Sequence, residues 1–205
     1  MKPLKDICAH AMAVGQRINL SKYHYGRTNG CCPNIKRPTN YYFFLAGLVR
    51  TQGLRYILEI GTHFGGSILS MRKGLNKRHV FNSKLVTIDI VKNDIHGLGG
   101  FPKIHRIKGN SLEKEVAAKA ISCFKKSIDL LYIDSIHEYG HTMANIDLYG
   151  PKLDPLYIAM DDIRQCASMR KLWADLTIKY DNRAYDASDI AIRKGAGFGI
   201  IKYRS

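Results

Sequence analysis

The sequence predicts an α/β fold: a doubly wound, mostly parallel sheet with an antiparallel edge strand and helices on both faces. Three observations predict it. Short apolar runs alternate with stretches of helical spacing between residues 55 and 162. The runs are apolar at nearly every position, as expected of strands buried on both faces. They end in polar or acidic residues: Glu59, Asp89, Asn110, Asp134, Asp161 and Asp162. Ligands of open α/β sheets bind in the crevice at those carboxyl ends.

Each element follows in order. "YILEIGT" (56–62) is a strand closed by a glycine turn, and "FGGSILSMRKGL" (64–75) continues with helical spacing. "KLVTIDI" (84–90) is the second strand, "IHRIKGNS" (104–111) the third, and "LEKEVAAKAISCF" (112–124) a helix. "IDLLYIDS" (128–135) is the fourth strand. "EYGHTMANIDLYGPKL" (138–153) is a helix stopping near Gly150-Pro151, and "LYIAMDD" (156–162) is the fifth strand. "RKLWADLTI" (170–178) reads as a helix. "RAYDASDIAI" (183–192) and "GFGIIKY" (197–203) read as an antiparallel hairpin closing one sheet edge, with its turn around Lys194-Gly195. The stretch "SKYHYGRTNGCCPNIKRPTNYYFF" is rich in Tyr, Gly, Pro and Asn. It predicts a loop or lid ahead of a helix at 40–52, and so two segments: a lid or substrate-recognition segment over 1–39 and a catalytic domain over 40–205.

Composition narrows the class. A chain of 205 residues suits one domain with a real core. No apolar run is long enough to cross a bilayer, and the start lacks a signal-peptide pattern, so a cytoplasmic location is expected. Cys8, Cys31, Cys32, Cys123 and Cys166 form neither a metal-binding pair nor a disulfide framework, which implies reduced thiols. The net charge of +15 favours an anionic partner, RNA among them; a solubilising surface explains it equally well.

The turn "EIGTHFGGS" carries Glu59, Gly61, Thr62, Gly65, Gly66 and Ser67 into the first helix. Glycines allow close backbone approach, and a helix N-terminus offers free N–H groups. The spacing is neither G-x-G-x-x-G nor a P-loop. Asp89 ends the second strand, where a carboxylate can accept two hydrogen bonds from a ribose diol. Together they indicate a nucleoside-bearing cofactor, with Asn110 and Ser111 facing its base.

These residues resemble the first motif of class I S-adenosylmethionine-dependent methyltransferases, a Rossmann-like fold. "LYIDSIHEYGHTMANIDLYGPKL" followed by "IAMDD" resembles more specifically the branch of macrolide-sugar O-methyltransferases and cephalosporin-hydroxylase-like proteins. The resemblance spans roughly residues 40 to 203 and rests on Asp134, His137, Asp147, Asp161 and Asp162. One departure is "DPLY" where the branch has Gly-Gly before the fifth strand. The resemblance implies S-adenosylmethionine as cofactor, with Asp134 also at its site, a small hydroxylated acceptor, and His137 as general base. The acids Asp134, Asp161 and Asp162 come from neighbouring strand ends. Clustered carboxylates repel unless a cation sits among them, and oxygen-only ligands suit Mg²⁺ or Ca²⁺.

"HEYGH" (137–141) also fits the H-E-x-x-H zinc-protease pattern. That pattern needs a long helix and a third downstream ligand, whereas Gly140 weakens the helix here and no such ligand stands at the required spacing. His141 is then expected on the helix surface or packed on a neighbour. Two other readings stay open: an RNA- or nucleotide-modifying methyltransferase, and a non-catalytic cofactor-binding module. Tyr23, Tyr25, Tyr41 and Tyr42 could stack a substrate ring or simply pack. The acceptor and the oligomeric state are not fixed by the sequence, which admits a homo-oligomer.

Overall fold

The computed structural model describes residues 2–20, 40–91 and 104–204. In chain order the elements are α1 (Leu4–Gly15), α2 (Asn40–Gln52), β1 (Tyr56–Ile60), α3 (Gly66–Gly74), β2 (Lys84–Asp89), β3 (Ile104–Lys108) and α4 (Lys114–Ser122). Then follow β4 (Leu130–Ile133), α5 (Tyr139–Leu153), β5 (Tyr157–Asp161), α6 (Ala167–Tyr180), β6 (Ala184–Asp186) and β7 (Phe198–Lys202). The strands form one sheet of order β3-β2-β1-β4-β5-β7-β6. Strands β1 to β5 pair in parallel, and β7 pairs antiparallel with β5 and β6. This is the predicted mostly parallel sheet with an antiparallel edge.

Both faces are covered, which is why the central strands read as unbroken apolar runs. Ile57, Leu85, Leu130 and Tyr132 pack under α1, α2 and α3 with Leu45, Leu48 and Ile68. Their alternate neighbours Leu58, Ile60, Val86 and Leu131 pack under α4, α5 and α6 with Ile146, Leu172 and Leu176. Among the described residues, no helix is long and apolar enough to cross a membrane.

The chain runs from β1 outward to β2 and β3, then crosses back to β4 on the other side of β1. The two strand ends therefore diverge into helices on opposite faces and leave a crevice between them. Gly61 makes their approach possible. Its φ is +99°, and a Cβ there would lie 1.7 Å from the Asp134 carbonyl oxygen.

Two differences from the sequence reading stand out. Residues 4–15 form α1, packed on α2, within the segment expected to serve as a lid. Its buried Leu4, Ile7, Cys8, Ala11 and Met12 follow helical spacing, and burial pushes the Cys8 thiol up to about 12. Tyr23, Tyr25, Cys31 and Cys32 lie outside the described residues. The strand expected over 183–192 stops at Asp186. Asp186 Oδ1 accepts the backbone N–H of Ser188, and its Oδ2 pairs with Arg164, which turns the chain. Residues 187–197 form a long connection that buries Ala187 and Ala191 against the core.

Helices α1 and α2 cross at backbone contact: a Cβ on Gly47 would lie 1.8 Å from the Ala11 carbonyl oxygen. Gly140, in the first turn of α5, has nothing within 4 Å of its Cβ position. Gly47→Ala should therefore destabilise the chain by about 1–3 kcal/mol in urea unfolding, through overpacking. Gly140→Ala should be neutral or stabilising by up to about 1 kcal/mol. Equal losses in the two variants would contradict the packing described.

Candidate active site

The crevice opens into a cavity of about 500 Å³, a size typical of small-molecule sites. Of the expected cofactor residues, Gly61, Asp89, Asn110, Ser111 and Asp134 line it. Asp89 ends β2, where Oδ2 accepts the His63 N–H at 2.7 Å and Oδ1 accepts the Val91 N–H at 2.8 Å. Each oxygen keeps a lone pair for a ligand hydroxyl.

Glu59, Thr62, Gly65, Gly66 and Ser67 do not line this cavity. Glu59 is fully buried. Its carboxyl accepts hydrogen bonds from the Ser67 hydroxyl of α3 and the Thr87 hydroxyl of β2. Thr87 also meets Thr62 at 2.5 Å between hydroxyl oxygens. These groups tie the glycine turn to the sheet from below. Gly65 takes the left-handed conformation ahead of α3, and Gly66 lies against the Tyr42 ring. Tyr41 and Tyr42 thus pack against the core and the turn.

His137 lies on the turn between β4 and α5, just ahead of Glu138, the cap of α5. The turn is tied to the start of α6 by the Tyr139 N–H donating to Ser168 Oγ at 2.7 Å and the Cys166 thiol donating to the His137 carbonyl at 3.4 Å. His137 Nε2 lies 3.1 Å from Asp162 Oδ2 and 3.5 Å from Asp134 Oδ1, with neither contact aligned as a hydrogen bond. Asp134 beside it raises the His137 pKa above 6.5, burial opposes that, and Asp162 adds to the rise. Tyr132 donates to Asp134 Oδ2 at 3.2 Å and fixes that carboxylate.

His141 corrects the sequence reading. It sits in the first turn of α5 and lines the same cavity rather than the outer surface. The Asn145 amide donates to its Nδ1 at 3.2 Å, which leaves the proton of a neutral ring on Nε2. Burial lowers its pKa. His137 precedes the helix, so the two imidazoles do not share a helical face, as a zinc-protease site requires. Asp147 is exposed on α5.

The acid cluster also differs from expectation. Among the described residues, Asp134, His137 and Asp162 bring ligand atoms within 4.8 Å of one another, and Asp161 is not in that group. Arg193 holds Asp161: its Nε donates to Oδ1 at 3.0 Å and its terminal nitrogen to Oδ2 at 2.5 Å. The same nitrogen donates to Asp162 Oδ1 at 2.9 Å. Asp161 Oδ1 also accepts the Asp162 N–H at 2.9 Å. Burial pushes the Asp161 carboxyl upward and Arg193 pulls it back. The residues therefore do not fit the oxygen-only Mg²⁺ set of Asp134, Asp161 and Asp162. Asp161 is 1% exposed and has both oxygens engaged. Arg193 escaped the sequence reading because it stands in a connection with no motif.

A glycine turn at the switch point, an acid ending the next strand and a cavity between them define a Rossmann-like site for a nucleoside-bearing cofactor. Residues 58–163 match the family model described as a methyltransferase domain, and the chain belongs to that family. An O-methyltransferase from Bacillus cereus in complex with SAH is 19% identical, with a TM-score of 0.56 over 96% of this chain and 90% of that one. A Podospora anserina methyltransferase bound to SAH is 15% identical, with a TM-score of 0.55 over 98% and 88%. MycE methyltransferase of the mycinamycin biosynthetic pathway, in complex with Mg, SAH and mycinamycin VI, is 15% identical with a TM-score of 0.51. That match covers 76% of this chain but only 46% of MycE. No curated protein matches by sequence.

Burial raises the Glu59 pKa from 4.5 to about 8, while Ser67 and Thr87 hold it down in part. The folded chain thus keeps a proton that the unfolded chain releases. That contribution is complete below pH 4.5 and is lost as pH rises through about 8. The urea midpoint of the wild type should fall from pH 5 to pH 9 more than that of Glu59→Gln, whose amide does not titrate. Parallel curves would show that Glu59 is ionised throughout.

Proposed function

We propose that the chain transfers a methyl group from S-adenosylmethionine to a hydroxyl of a small molecule, with His137 as general base. The observation that carries this reading is that His137 lines the cavity while its buried Nε2 lies 3.1 Å from Asp162 and 3.5 Å from Asp134, carboxylates that favour its protonated ring. The residues around the cavity fit the cofactor. Asp89 offers free lone pairs to a ribose diol, and Gly61 puts no side chain between them. Asn110 and Ser111 stand on the same wall for the base. S-adenosylmethionine supplies an electrophilic methyl on a sulfonium and becomes SAH on transfer.

The rest falls to this chain's residues. A hydroxyl becomes a good nucleophile as its proton leaves. His137 takes that proton, and the carboxylates beside its Nε2 stabilise the imidazolium that results. The cavity wall holds donor and acceptor in line and away from bulk water. The SAH-bound neighbours of this fold support the cofactor, and the mycinamycin VI complex of MycE supports a small acceptor. MycE carries Mg in that complex. Here such an ion would be held by Asp134, His137 and Asp162, which would make His137 a ligand rather than a base. We therefore assign His137 to the proton. A lid or substrate-recognition role for residues 1–39 belongs to the same reading. The net charge of +15 favours an anionic acceptor as a second reading, which would give RNA binding that weakens steeply with salt.

Asp89→Ala should weaken S-adenosylmethionine binding by about 1–3 kcal/mol in calorimetry; undiminished binding would remove Asp89 from the site. His137→Ala should lower turnover by about 10²–10⁴-fold and leave cofactor affinity nearly unchanged. Because the base must be neutral, wild-type turnover should rise with pH through a pKa above 6.5. A profile flat across that range, with turnover preserved in His137→Ala, would reject the assignment.

A further inference from the structure

We propose that Arg193 takes the place of a divalent cation in the acid cluster, so that methyl transfer by this chain proceeds without added metal. The inference deepens the reading of His137 as base and rests on it. Three carboxylates, Asp134, Asp161 and Asp162, converge at the ends of β4 and β5, and such a cluster needs a cation. Arg193 provides one from within the chain. It bridges Asp161 and Asp162 through three hydrogen bonds. A divalent ion on Asp162 would sit beside this guanidinium and be repelled by it.

The placement is built. The Arg193 guanidinium lies over the Tyr41 ring at 4.6 Å from its centroid, a cation–π contact with α2. The Arg193 N–H donates to the Ser188 carbonyl at 2.8 Å, and its own carbonyl accepts the Gly197 N–H at 2.6 Å. The preceding Ile192 has φ +56°, a strained conformation for a β-branched residue. The connection thus bends through an unfavourable residue to aim Arg193 at the acids. Gripping Asp162 by Oδ1 leaves Oδ2 turned to His137 Nε2. Arg193 is in this sense a positioning residue: it acts on the base through Asp162.

Two measurements on the full chain test this: Mn²⁺ titration followed by the electron-spin-resonance signal of free ion, and turnover in EDTA against turnover in Mg²⁺. The wild type should bind no stoichiometric Mn²⁺, and its turnover should change by less than about twofold between EDTA and Mg²⁺. Arg193→Met removes the charge and should create a site for one Mn²⁺, with turnover about tenfold lower in EDTA than in Mg²⁺. Adding Asp162→Asn should abolish the gained site, which places it in the cluster. Arg193→Lys keeps the charge and should remain Mn²⁺-free. One Mn²⁺ bound per wild-type chain, with turnover lost in EDTA, overturns the proposal. So does a folded Arg193→Met chain that gains no Mn²⁺. If Arg193→Met does not fold, the wild type and Arg193→Lys decide by the same criteria. If the wild type transfers no methyl group to any hydroxyl, the base reading falls, while the Mn²⁺ titrations still decide the place of Arg193.

Discussion

Carboxylates crowd the carboxyl edge of this sheet, and like charges so close repel unless each finds a donor. Glu59 takes hydroxyls from α3 and β2, and Asp89 takes two backbone N–H groups. Asp134 accepts from Tyr132, and Asp161 and Asp162 share Arg193. Val91 and Tyr132 donate locally, and the other donors come from a different segment than their acceptors. Satisfying the acids therefore also fixes the glycine turn, the strand ends and the connection before β7. The network that builds the site and the network that locks the layers are one.

The same edge separates two histidines chemically. His137 lies among carboxylates, which favour its charged form, while His141 lies in the wall, where burial favours the neutral ring. Opposed environments for like groups commonly divide roles between proton transfer and recognition.

Much of this was legible in the sequence for a simple reason. Strands covered on both faces must be apolar throughout, so the runs at 56–60, 84–89, 130–133 and 157–161 declare themselves. The polar residues ending them mark the crevice. The turn residues lie together ahead of α3, and Glu59, Thr62 and Ser67 among them join one buried hydrogen-bond network through Thr87. Glu59 interrupts an apolar run, and that interruption is the signal of a buried acid with internal partners. Helix α1 was also readable, since Leu4, Ile7, Cys8, Ala11 and Met12 recur at helical spacing after Pro3. Arg193 was not readable. It reaches Asp161 across 32 residues of sequence through a connection whose path depends on tertiary packing. His141 was misplaced because spacing fixes where a helical side chain starts, not which wall its ring reaches.

Strand β7 is the last element in the sequence, yet it lies inside the sheet, between β5 and β6. Its partners β5 and β6 both precede it in the chain, so each must wait for β7 to complete its pairing. Until it docks, β5 presents an open edge, and the segment bearing Arg193 has no frame to hold it. Asp161 and Asp162 are then uncompensated neighbours facing solvent. The catalytic edge is therefore complete only with β7 in place, and a sheet lacking it is exposed to mispairing with another chain.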